Sequence, residues 1–473
     1  MKSYSAAAMM LVVAFAAVEA YGLGILTPKW VKNVTAETGL YETVLGGLNY
    51  EDIDGDGTVD ILLPRRKPED RIVCLSGKDG SIQWVYPPLD QDSLPGDPMC
   101  VPAIDDLEGD GNLEVILVGR NNWVHCITGR GQLKWKIDTD AGTDESATIF
   151  DLDGDGQKEV IWATGGPGYV YVANSDGTVR WKYEMGHGTN SGPTVWDVDR
   201  DGDPEVIVPD SDGNTIFCLS NKGVEKWRFA TGDKCGQVNA AVGDIDKDGE
   251  YEILVLVPDE KRVYCLAFYG IEKWRFDLAA DATLVPESLT IGDVDGDGYL
   301  ETIVSDFSAS GPHTYCVAFD GTLKWTAAAY TPSSMIGDFD GDGTMEVVGP
   351  RGYTQLIVLD GPTGEMDWVW DQAEVDPNIP VDPTFGVPLW GPGDVGQIMG
   401  DFDGDGKTEF AFECDPDNQV YCFTADGPYD PEKMIWPRPL KTAGNVPVIP
   451  MAEGLLLPLT ILASLLGIRK IVL

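Results

Sequence analysis

Asp52-Ile53-Asp54-Gly55-Asp56-Gly57-Thr58-Val59-Asp60-Ile61-Leu62-Leu63 places four carboxylates within nine residues, at the mouth of an apolar run. The arrangement recurs seven times. Its acidic positions 1, 3, 5 and 9 are Asp52, Asp54, Asp56 and Asp60 in the first copy and Asp106, Glu108, Asp110 and Glu114 in the second. The third holds Asp151, Asp153, Asp155 and Glu159, the fourth Asp197, Asp199, Asp201 and Glu205, and the fifth Asp244, Asp246, Asp248 and Glu252. Asp293, Asp295, Asp297 and Glu301 follow, then Asp338, Asp340, Asp342 and Glu346, and last Asp401, Asp403, Asp405 and Glu409.

Glycine holds position 6 in every copy, where a sharp turn is needed, and alternate side chains of such a loop point inward. Hard cations with six to eight oxygen ligands suit that cage, calcium above all; magnesium demands a stricter octahedron and keeps its waters. One copy alone would read as an Asp-Gly turn with solvated acids, but eight copies with the same four positions predict metal. An EF-hand needs a carboxylate at position 12 and flanking helices. Here position 12 is Leu63, Leu117, Trp162, Val208, Val255, Val304, Gly349 or Phe412, and the residues after position 9 read as a strand.

DxDGDGxxE followed by a strand resembles the FG-GAP/VCBS-type repeats of β-propellers, including the head of integrin α subunits. The resemblance spans roughly residues 44 to 440 and implies calcium in each loop, on the face away from the usual ligand site.

Loop spacings of 54, 45, 46, 47, 49, 45 and 63 residues point to a propeller independently. Each repeat adds an apolar strand (IVCL, IFCL, VYCL) and a glycine turn into a tryptophan strand (DGSIQW, DGTVRW, DGTLKW). With the strand before the acidic loop, that makes four strands per repeat. The expected fold is all-β: an eight-bladed propeller of four-stranded antiparallel blades over residues 21–440, with seven blades as the alternative.

Trp84, Trp135, Trp181, Trp227, Trp274, Trp325, Trp368 and Trp436 form one series, read as packing between neighbouring blades. DGPTGEMDW also resembles the tryptophan-docking motif of quinoprotein propellers, which implies a quinone-dependent dehydrogenase as one functional alternative. Trp30 belongs to a further strand of this type, expected to complete the last blade and protect its edge. Six cysteines recur at one strand position (Cys74, Cys126, Cys218, Cys265, Cys316, Cys422), where other repeats place Val172 and Val358. Interchange with aliphatics marks them as small buried hydrophobes. Of Cys100, Cys235 and Cys414, the last is placed to meet Cys422 across a hairpin. No CxxC spacing suggests zinc.

The formal net charge is −45. The loops hold 32 of the 78 carboxylates, which leaves 46 against 33 Lys and Arg. Eight divalent ions would bring −45 to −29, so much of the acidity belongs to the loops. With no basic patch, nucleic acid is not an expected partner.

Residues 1–20 (MKSYSAAAMMLVVAFAAVEA) read as a secretory signal, with a short membrane anchor as the alternative. Asn33-Val34-Thr35 is a glycosylation sequon. Residues 441–454 read as a linker, and 455–473 as an apolar run ending in Arg469-Lys470 and three aliphatics. This end resembles archaeal PEF-type sorting tails, although Met451-Ala452-Glu453 stands where that family has Pro-Glu-Phe. The expected location is therefore the cell surface, secreted and tethered to the envelope or membrane through the C-terminus.

His125, His187 and His313 are the only histidines. His125 and His313 read as strand residues; His187 falls in a connection on the face opposite the acidic loops. Neither a Ser-His-Asp order nor a nucleophile elbow is visible, and no catalytic residue is assigned. The longest insertion, Asp371 to Gln397, holds Phe385 and Trp390, which with His187 are the candidate ligand contacts. The leading expectation is calcium-stapled recognition of an extracellular protein or polysaccharide. A polysaccharide lyase acting in the central cleft is the enzymatic alternative, because some lyases resemble this type of propeller.

Overall fold

The computed structural model describes residues 26–428 and 448–449, apart from 44–47, 68, 93, 95–100, 121, 144–145, 190, 236–238, 284–288, 332–333, 340–341, 352–354, 372–397 and 415–418. Eight antiparallel sheets form the blades, each built on four strands, laid down in sequence order from the inner to the outer edge in blades 1 to 7. Blade 5 is representative: 241–243, 252–257, 262–267 and 272–277. The second and third strands are buried along most of their length, because a sheet packs on each face; in blade 5 they run EILVLV and RVYCLA. Outer strands alternate in exposure, with one edge of the sheet in water.

The ring closes as the sequence predicts, with one reassignment. Leu26–Asn33 pairs antiparallel with Gln419–Pro428 and becomes the outer strand of blade 8, Trp30 standing opposite Cys422. Trp227 opposite Cys218 and Trp274 opposite Cys265 repeat that register. Trp30, and not Trp436, therefore fills the eighth tryptophan position; Trp436 lies outside the described residues. First and last segments of the propeller share one sheet, so a strand from each end closes the ring.

Neighbouring blades are stitched at two radii. Near the axis, Asn49 Nδ2 donates to Pro102 O at 2.8 Å, Thr148 Oγ1 to Pro193 O at 2.6 Å and Thr194 Oγ1 to Ala240 O at 3.0 Å. Further out, each indole N–H reaches a carbonyl of the next blade. Trp30 donates to Gly77, Trp84 to Gly129, Trp135 to Ser175, Trp181 to Asn221, Trp227 to Phe268, Trp274 to Phe319 and Trp325 to Gly361, at 2.6–3.0 Å. The turn glycine beneath the ring cannot be another residue: at Gly270 (φ +81°) a Cβ would fall 2.6 Å from Trp227. The structural reading of the series holds for these seven.

Seven cysteines are buried and unbridged, Cys422 among them. Cys422 stands opposite Ala411 while Gln419 stands opposite Cys414, so register removes the proposed hairpin pair. Val448–Ile449, within the segment read as a linker, adds a short parallel strand to the inner strand of blade 5. The signal and C-terminal segments, Cys100, Asp340, Phe385 and Trp390 lie outside the described residues.

Candidate metal centres

Each acidic loop joins the inner strand of its blade to the second. Antiparallel pairing therefore puts all eight on one face, here the lower, together with the turns that lead into the tryptophan strands. Position 6 glycines take φ between +82° and +96°, a region that costs residues with a Cβ. That turn aims the glycine N–H back at the position 1 carboxylate, with N···O distances of 2.7–3.2 Å in seven blades. Position 9 glutamates accept the position 2 N–H through Oε2 in blades 2 to 8, at 2.6–3.2 Å. The loop is thus tied at both ends by its own acids.

Ligand atoms of Asp401, Asp403, Asp405 and Glu409 lie within 4.8 Å of one another, as do those of Asp52, Asp54 and Asp60, of Asp106, Glu108 and Glu114, of Asp151, Asp153 and Glu159, and of Asp197, Asp199 and Asp201. Position 5 carboxylates Asp56, Asp110 and Asp155 stand outside their groups and accept the N–H of position 7. Burial raises the position 9 carboxyl: Asp60, Glu205, Glu252 and Glu301 are all pushed up to about 7. At Asp60 the second cause is the charge of Asp54. Oδ1 of Asp52, Asp244, Asp293 and Asp403 is shielded from solvent and takes no hydrogen bond. Buried oxygens without a donor, in an all-oxygen set, fit a hard divalent cation.

Residues 106–162, 151–208 and 197–255 each match the FG-GAP-like repeat family. The chain carries FG-GAP-like repeats. Each match runs from one acidic loop into the next, so the loop is the recurring mark of the repeat. No curated protein matches the chain. Among solved structures, the V. cholerae biofilm matrix protein Bap1 is similar at a TM-score of 0.61 and 16% identity, over 89% of this chain and 93% of that one. An exotype rhamnogalacturonan lyase, YesX, follows at 0.55 and 14%, over 81% and 72%. The quinohemoprotein alcohol dehydrogenase of Comamonas testosteroni gives 0.53 and 11%, over 87% and 78%. At such identities the likeness shows the fold alone.

The upper face carries the hairpins between second and third strands and the passages from blade to blade, and among the described residues it varies from blade to blade. His187 is exposed there, its Nδ1 3.3 Å from the buried carboxylate of Asp210. Gly213 N–H holds that carboxylate in turn at 3.0 Å. In blade 6 the register brings Asp306, His313 and Tyr315 together with Ala279, though no motif links them. Asp306, fully buried, takes His313 Nδ1 at 2.9 Å, Tyr315 OH at 2.9 Å and Ala279 N–H at 2.9 Å. His313 Nε2 lies 3.4 Å from Ser310 Oγ, which is also 2.8 Å from Ser308 Oγ. The only sequence signal was an Asp and a His placed symmetrically about a tight turn. Between blades 1 and 2, a cavity of about 690 Å³ is lined by Tyr86, Asp90, Gln91, Asp92, His125 and Gln132. Arg71, fully buried, shapes its loop by donating to Pro87 O, Pro88 O and Gln91 O.

Proposed function

We propose that this protein is a secreted, surface-tethered propeller that binds calcium in its lower-face loops and recognises an extracellular protein or polysaccharide with its upper face. The observation that carries the reading is the division of labour between the faces. One repeats a tied, all-oxygen cage blade after blade, and the other varies. Calcium here is structural: it supplies the charge that lets four carboxylates stand at a strand entrance, at the weak affinities of extracellular modules, on the order of 0.1–1 mM. Binding to the folded loops alone links the metal to stability. Tethering through 455–473 and a contact at Phe385 and Trp390 belong to the same proposal and rest on the sequence.

His187 against Asp210 favours a second reading, a lyase-type enzyme, because a buried carboxylate orients an exposed imidazole as a base. The quinone-dependent alternative rests on the DGPTGEMDW likeness alone, and no arrangement of side chains among the described residues adds to it. The test incubates the calcium-loaded protein with a panel of polysaccharides and envelope extracts, following retention and unsaturated sugar products together. Retention without products supports recognition. Products that vanish in His187→Ala would replace it with the lyase reading, and neither retention nor products would remove both.

A further inference from the structure

The residue just before the interblade tryptophan is a cation in six blades: Lys29, Lys134, Arg180, Lys226, Lys273 and Lys324. Each reaches back across its sheet onto the acidic cage of its own blade. Lys273 Nζ lies 2.7 Å from Asp246, 2.8 Å from Glu252 and 3.5 Å from Asp248, which are positions 3, 9 and 5. Lys226 repeats this at 2.6, 2.8 and 3.6 Å from Asp199, Glu205 and Asp201. Lys29 sits 2.6 Å from Asp403 and 2.9 Å from Glu409, and Lys134 sits 2.7 Å from Glu108 and 2.8 Å from Glu114. Arg180 meets Asp153 at 2.7 Å and Glu159 at 3.3 Å, and Lys324 pairs with Asp295 and Glu301.

These are not ordinary surface pairs, because the position 9 glutamate of each is nearly or fully out of solvent. Blade 1 departs from the rule. Gln83 stands at the cation's place, and among the described residues no ion pair reaches Asp52, Asp54, Asp56 or Asp60. Asp52 Oδ1 is buried there without a donor. Blade 7 carries an acid, Asp367, at the same place.

We propose that the residue before the tryptophan sets the metal affinity of its loop, so that blade 1 and the six cation-bearing blades form two classes. In six, a tethered Lys or Arg supplies one positive charge to the cage, and a metal must enter against it. In blade 1 the full anionic set is left to the metal. Ligand charge tunes calcium affinity in oxygen cages, and a unit charge a few ångströms away changes it by about tenfold or more. The cation therefore acts as built-in ballast: six blades keep their lower face assembled when calcium falls, and blade 1 reports the metal.

This rests on the calcium reading above, and the test separates the two. Equilibrium dialysis with calcium on the intact chain is expected to show a tight class and a weak class. Gln83→Lys should remove one tight ion, weakening it at least tenfold, and Lys273→Gln should move one ion from the weak class to the tight. Both residues lie on outer strands, and circular dichroism would verify folding. Calcium bound in a single class, or swaps that leave the tight class unchanged, overturns the inference and leaves the calcium reading standing. No calcium bound at millimolar concentration overturns both.

Discussion

Asp52–Asp60 in blade 1 and Asp244–Glu252 in blade 5 follow one backbone path, while the upper-face hairpins of blades 4 and 6 each bury an aspartate against a histidine that arrives by a different route. Blade 4 sets a buried Asp210 beneath an exposed His187 from a neighbouring connection. Blade 6 sets a buried Asp306 against His313 across the hairpin itself. Repetition on the lower face marks what every blade needs in order to hold its shape. Variation above marks what the blades are free to do differently, as loops on a rigid scaffold commonly are.

Four measurements would break or sharpen this contrast. Removing calcium should have the largest effect. With metal at ten times its dissociation constant each loop gains about 1.4 kcal/mol, so several loops together should hold the unfolding midpoint on the order of 10 °C higher. Scanning calorimetry with and without a chelator measures it; an unchanged midpoint would mean that the side-chain cations suffice. Trp227→Ala should cost on the order of 3 kcal/mol by emptying the space over Gly270 and leaving the Phe268 carbonyl without its donor, read as a shift in the denaturant midpoint. A loss under about 0.5 kcal/mol would show that the blades hold together without the outer stitch.

Acid should come next. His125 is 8% exposed, with its Nδ1 3.0 Å from Tyr86 OH. Burial, and then the charge of Lys136, pulls its pKa from 6.5 down to about 4. A depressed imidazole keeps its full contribution above the unfolded pKa and loses it as pH falls from about 6.5 towards 4, on the order of 2 to 3 kcal/mol. His125→Tyr, which places there the residue blade 5 has as Tyr264, should lack that component; parallel pH-dependent unfolding of the two proteins would refute the assignment. The smallest stability effect belongs to the upper face. His187→Ala should change stability by less than about 0.5 kcal/mol while weakening retention on whatever ligand the panel reveals. A large stability loss would make His187 part of the scaffold.

Much of this was legible in the linear chain, for a physical reason. A loop whose position 1 carboxylate takes the position 6 N–H, and whose position 9 glutamate takes the position 2 N–H, is specified within nine residues, so reading those residues is enough. The same holds for the apolar runs of the second and third strands. Interchange of Cys with Val at one strand position is enough to mark those thiols as buried, because both side chains fill the same small apolar space. What escaped depends on register between strands. Cys414 and Cys422 lie close in sequence yet face different partners, and Asp306, Ser310 and His313 converge only because the hairpin pairs Asp306 with His313.

The sequence by itself determined the repeat, its oxygen-rich loops, the tryptophan ladder and the N-terminal strand's kinship with the outer strands. Only the tertiary structure decided that Trp30 takes the eighth place, and that the residue before each tryptophan lands on the acids of its own blade. Both outcomes require the outer strand to be carried back alongside two others, some twenty residues away or, for blade 8, nearly four hundred. Local hydrogen bonds cannot encode such distances; strand register and ring closure can.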